Sequence, residues 1–223
     1  MAGFRFFELG KVATLRDLVA EIYRGLGQFH GSGFASARKA NSTELTLFER
    51  ALLYFEEART IHPECAAAFK EIGALHTVAG EGPPQRELAR RAFERSLQLD
   101  PAEPGAIFGI GWIEYMDEKW DLAIDQYTKL IVRKEWREED RRKYLPDSYL
   151  NRACVRARTL NAADELEAFD PILADCKKGL EVARELSQAQ AQAFRERLEN
   201  EINSGDLSPL QMRVPVKVSQ LLA

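Results

Sequence analysis

Three histidines (His30, His62, His76), three cysteines (Cys65, Cys154, Cys176) and a run of four glycines are the residues here whose types could hold a metal, attack a substrate or cradle a phosphate. A zinc centre needs three or four convergent ligands. His62-Pro-Glu-Cys65 offers two, with no partner motif, so it reads as a turn with His62 and Glu64 in solvent. The same scarcity removes a Cys–His nucleophile pair. Gly25, Gly27, Gly31 and Gly33 match neither Gly-x4-Gly-Lys-Ser/Thr nor Gly-x-Gly-x-x-Gly, and no strand precedes them. They read as a helix end followed by a flexible connection through residues 31–41. Glu114 and Asp117 would need an enclosed pocket to act as a catalytic carboxylate pair, and neighbouring acids on a helix read as surface charge. No enzymatic activity, cofactor or metal is expected.

The chemistry that remains is binding. Phe108, Trp112, Tyr115 and Met116 follow i, i+4, i+7, i+8 and share one helical face. Such a stripe is either covered by the chain itself or offered to an apolar segment of a partner, where Trp and Tyr dominate binding energy. Arg152 and Arg156, four apart, with Arg158 nearby, would add a basic edge, so the expected partner carries apolar anchors and some acidic residues.

The elements that must position this stripe repeat along the chain. Ala51, Phe55, Ala58 and Pro63 recur 38 residues later as Ala89, Phe93, Ser96 and Pro101, and the first three recur again as Ala123, Tyr127 and Leu130. Phe69, Ile72 and Gly73 return as Ile107, Ile110 and Gly111. Small residues let helix backbones approach, and the large aromatics fill the seams between them. Helix pairs are expected over residues 65–99 and 104–131. A weaker pair starts at Tyr144 and resumes at Asp170-Pro171, where Asp would cap and Pro would sit in the first turn.

This alternation resembles the tetratricopeptide repeat, in which about 34 residues form two helices and Pro closes the unit. The resemblance implies an all-α, right-handed alpha-alpha superhelix, a solenoid of about four helix pairs with a C-terminal capping helix. It implies a scaffold, adaptor or regulatory subunit whose concave groove, lined by the first helix of each pair, receives another polypeptide. Carried over by position, groove residues are Lys70, Ala74, Thr77 and Val78 on the second pair, Phe108, Trp112, Tyr115 and Met116 on the third, and Leu150, Cys154, Ala157 and Arg158 on the fourth. With the basic edge and Asn151, the expected partner-binding set is Phe108, Trp112, Tyr115, Met116, Lys70, Asn151, Arg152 and Arg156. The family's carboxylate clamp is only partly echoed: Lys70 and Asn151 fit, but Ala74 and Gly109 stand where it has Asn. Binding of that type is not expected.

The organisation expected is an N-terminal helix and connecting loop over 1–42, repeats over 43–186, a capping helix over 187–204 and an extended tail over 205–223. The first helix spans about Leu15–Gln28 with Leu15, Leu18, Val19, Ile22, Tyr23 and Leu26 on its buried face, and serves as the missing first helix of the pair ending at Ile61. Phe4, Phe6 and Phe7 form an apolar cluster before it, and Asn41, Ser42 or Thr43 would cap the next helix. Ser187 caps the last helix and Gly205 ends it. In the tail Met212, Val214, Val216 and Val218 alternate with Arg213, Pro215 and Lys217. Pro215 excludes a central strand, and the segment reads as a flexible end, an intramolecular strap or a strand offered to a partner, with the apolar alternation favouring the last two. A second reading makes the chain an architectural subunit that assembles through its terminal segments.

At 223 residues, 45% hydrophobic and 30% charged, the chain is long enough for a well-buried domain. A net charge of -4 and a pI of about 5.6 give no global pull toward phosphate backbones, and the basic residues between 133 and 143 are interleaved with acids, so nucleic acid is not an expected partner. No apolar run reaches the length that spans a bilayer, and three scattered cysteines suit reduced core thiols. A cytoplasmic location is the expectation.

Overall fold

The computed structural model describes residues 15–39, 45–80, 82–160 and 166–222. The Phe4, Phe6 and Phe7 cluster and the cap candidates Asn41, Ser42 and Thr43 lie outside them. The protein is all-α, with eleven α-helices and no strand among the described residues. It divides into two compact units, the first ending at Ala106 and the second beginning at Ile107.

The first unit holds α1 (Leu15–Lys39), α2 (Leu45–Ile61), α3 (Ala66–Ala79) and α4 (Pro83–Leu99). α1 packs on α2, α3 on α4, and α2 on α3. The connection expected at residues 31–41 is helical as far as Lys39, so the glycines lie within α1 rather than beyond its end. A glycine costs an isolated helix about 1 kcal/mol. Gly27 has a packing reason to be there: a Cβ built on it would lie 2.5 Å from the Phe55 ring. Its backbone is the seat of that ring, as Gly73 is for Phe93, where the corresponding distance is 2.6 Å. Ile22, placed by spacing on the buried face, is exposed. His62, expected in solvent, is half-buried with Nε2 3.0 Å from Asp17 Oδ1. Ala51, Phe55, Ile72, Leu75 and Ala92 form one buried cluster of this unit.

α5 (Pro104–Met116) crosses the boundary between the units. The second unit continues with α6 (Trp120–Ile131), α7 (Glu138–Thr159), a 3-10 turn (Leu166–Phe169), α8 (Asp170–Leu186), α9 (Gln188–Ser204), α10 (Ser208–Arg213) and α11 (Pro215–Leu222). Each of α6 to α9 packs on the next. The glycine-and-aromatic pairing recurs, with a Cβ on Gly111 3.1 Å from the Tyr127 ring and one on Gly179 2.5 Å from that of Phe194. Ser187 caps α9, accepting a hydrogen bond from the Gln190 N–H at 3.1 Å. Asp170 is not a cap: it occupies the first turn of α8, and its carboxylate meets Lys217 of α11.

The tail overturns the expectation of an extended segment. Residues 208–213 and 215–222 are helical, and they pack on α9 and α8. The helices split the alternating set: Met212 and Val216 are 76% and 70% exposed, while Val214 and Val218 are buried. Leu207, Leu210, Val214 and Val218, spaced three, four and four apart, are the buried ones and join the core built by α7, α8 and α9. Pro215 is compatible with helix because it is the first residue of α11, where its missing N–H has no intrahelical role.

Candidate functional site

α5 is apolar on nearly every side, PGAIFGIGWIEYM, and its side chains divide into two sets. Ile107, Ile110 and Ile113 are buried. Phe108, Trp112, Tyr115 and Met116 are half-buried, so the stripe is neither interior nor free. Phe108 is used in packing, its ring 5.6 Å from that of Tyr127 and 5.5 Å from that of Tyr144. Tyr115 meets Trp120 edge-on at 5.7 Å, and its hydroxyl donates to the Asp206 carboxylate. Burial, reinforced by Asp206, pushes the Tyr115 phenol up to about 12, so it stays a donor at neutral pH. Trp112 and Met116 are the two members that no aromatic contact or hydrogen bond ties to a described residue.

The basic edge is committed elsewhere. Arg152 of α7 grips Asp175 of α8 with two hydrogen bonds, Nε to Oδ2 at 3.0 Å and Nη2 to Oδ1 at 2.6 Å, and its Nη1 donates to Thr128 Oγ1 at 2.9 Å. Arg156 Nη1 reaches the same carboxylate at 2.7 Å. Asn151 donates to the Tyr127 hydroxyl at 3.2 Å. These residues, expected to face a partner, hold α6, α7 and α8 together because the buried Asp175 needs two cations and Tyr127 needs a hydrogen-bond partner. Lys70 belongs to the first unit, with its Nζ 2.5 Å from Glu71 Oε1. Burial alone would raise the Glu71 carboxyl, but Lys70, Gln28 and Arg24 outweigh it and hold it below the usual range.

Arg158 Nε lies 2.5 Å from Asp206 Oδ1, so Tyr115 of α5 and Arg158 of α7 share one carboxylate of the turn between α9 and α10. The Asp206 N–H donates to Glu201 Oε2 at 3.0 Å. Cys154 lies beside them, its sulfur and one oxygen from each acid within 4.8 Å of one another. Burial and the two carboxylates raise the thiol far above its ordinary value and keep its proton on. With Asp206 engaged by Tyr115 and Arg158, and Glu201 by a backbone N–H, this cluster works as a hydrogen-bonded latch on the tail. Sequence reasoning missed it because Asp206 is 91 residues from Tyr115 and belongs to no repeat position.

The turn from α5 to α6 carries the remaining feature. Lys119 N–H bonds to the Glu114 carbonyl at 2.8 Å and Glu118 N–H to that of Tyr115 at 3.0 Å, which closes α5 with a left-handed residue, Glu118, at φ 59°. Glycine is the usual occupant of that position. Glu118→Gly is expected to raise stability by about 0.5 kcal/mol, read as a higher urea midpoint at unchanged slope. Glu114, expected at the surface, is buried, and Lys119 folds back to within 3.5 Å of its carboxylate and 3.6 Å of Asp117. Beside the turn lies an open cleft of about 390 Å³, lined by Glu118, Lys119, Trp120, Asp121, Leu122 and Thr159. No protein-family model matches this chain, and no curated protein matches it either.

Proposed function

We propose that this chain is a tetratricopeptide-type adaptor that binds a partner polypeptide along the exposed part of α5. The observation that carries the reading is that Trp112 and Met116 are held half-exposed on a helix whose other apolar residues are consumed by packing. Support for the repeat architecture comes from the neighbouring helix pairs and from the recurring seat of an aromatic ring on a helical glycine at Gly27, Gly73 and Gly111. No described helix is long and apolar enough to cross a membrane. The tail packs within its own unit through Leu207, Leu210, Val214 and Val218, which keeps exchange of that segment between subunits as the second reading, below partner binding. Apolar anchors stay in the description of the partner. Its acidic residues lose much of their rationale, since Arg152 and Arg156 are both turned onto the Asp175 carboxylate.

Trp112→Ala is expected to cost the partner about 2 kcal/mol, a roughly thirtyfold weaker affinity, with the helical circular dichroism retained. Affinity capture with wild-type and Trp112→Ala baits identifies the polypeptides lost. A folded Trp112→Ala protein that keeps every wild-type partner at full affinity would sink the reading.

A further inference from the structure

We propose that the cleft beside the α5–α6 turn receives a lysine or arginine side chain of the partner. The inference rests on the adaptor reading and adds the charge of what is bound.

The cleft combines two surfaces. Trp120 and Leu122 supply apolar wall, Leu122 being 49% exposed and the Trp120 ring set by its edge-on contact with Tyr115. Glu118 and Asp121 supply carboxylates, and among the described residues neither has an ion-pair partner. Lys119, the one cation in the lining, is turned toward Glu114 and Asp117. The open charge of the cleft is therefore negative. A basic side chain is the group that satisfies both surfaces: its aliphatic stem lies on Trp120 and Leu122, and its charged head meets the carboxylates and the indole quadrupole. An acidic side chain would be repelled, and a purely apolar one would leave Glu118 and Asp121 desolvated without compensation. The net charge of -4 favours the approach of such a partner over distance.

The test uses the full chain. Random dodecapeptides displayed on phage are selected on wild-type protein, and the most enriched sequence is synthesised as the probe for calorimetry. The expected result is enrichment of Lys or Arg at one fixed spacing from an apolar residue. At 50 mM salt the probe should bind at least tenfold more weakly to Glu118→Gly/Asp121→Asn, as should the probe with that Lys or Arg changed to Gln, and both losses should shrink in 0.5 M salt. Glu118→Gly relieves the left-handed backbone, so weaker binding in the double variant, checked against its urea midpoint, is not a folding defect. Selected peptides with no basic preference, or full affinity in the double variant while Trp112→Ala still abolishes binding, overturn the inference and leave the adaptor reading intact. A wild-type protein that enriches no peptide removes both.

Discussion

Asp175→Ala lowers the stability of the second unit by about 3 kcal/mol, the largest effect expected of any single substitution here. Its side chain is 5% exposed, and two guanidiniums, Arg152 at 12% and Arg156 at 29%, converge on it. Removing the carboxylate leaves two cations that have lost their counter-ion, one of them nearly buried, and withdraws three hydrogen bonds between α7 and α8. The comparison is Arg91→Gln, which breaks an exposed pair on α4 and is expected to move stability by less than about 0.5 kcal/mol. A combined Asp175→Leu, Arg152→Leu, Arg156→Met variant should recover much of the loss, since it removes the charges together. Urea denaturation followed by circular dichroism checks all three. Equal shifts for Asp175→Ala and Arg91→Gln would mean that the buried cluster holds nothing together.

Gly73→Ala and Gly25→Ala, the same chemical change in two helices, should have opposite signs. Both gain helix propensity, worth up to about 1 kcal/mol. At Gly25 nothing lies within 4 Å of the new methyl, so the gain is kept. At Gly73 the methyl would stand 2.6 Å from two carbons of the Phe93 ring, and overpacking of a buried ring costs about 1–3 kcal/mol. The expected difference between the two proteins is about 2 kcal/mol. Phe93→Leu in the Gly73→Ala background should restore part of it, because the smaller side chain vacates the space. Loss of stability at both glycines would indicate a backbone requirement common to the two positions instead of a seat for one ring.

If Trp112→Ala and the charge variants of the cleft behave as expected, α5 and the turn that follows it do separate jobs in binding. The helix face supplies apolar contact, and the turn selects charge. They are joined by the Tyr115–Trp120 contact, so a change in either ring is felt at both.

The amino-acid order alone determined most of the helices and the repeat. Periodicity located α3 through α9, because an apolar stripe every three or four residues has one regular structure that buries it. The small and large positions were legible at Gly73, Phe93, Gly111 and Tyr127, since a ring seated on a helix backbone needs a glycine beneath it. Local pattern misread α1 beyond Gln28 and the tail, where glycines and Pro215 signal breaks that tertiary contacts override: Phe55 occupies Gly27, and the core of α7 to α9 takes in Leu207, Leu210, Val214 and Val218. The fates of the charged residues were decided only by the tertiary structure. Arg152 and Arg156 read the same from sequence whether they face a partner or Asp175, 23 and 19 residues away, and no local pattern marks Asp206 as the carboxylate on which Tyr115 and Arg158 close. Helix formation depends on neighbours three and four residues apart, which a sequence displays, whereas the pairing of a charge depends on which distant helix packs beside it.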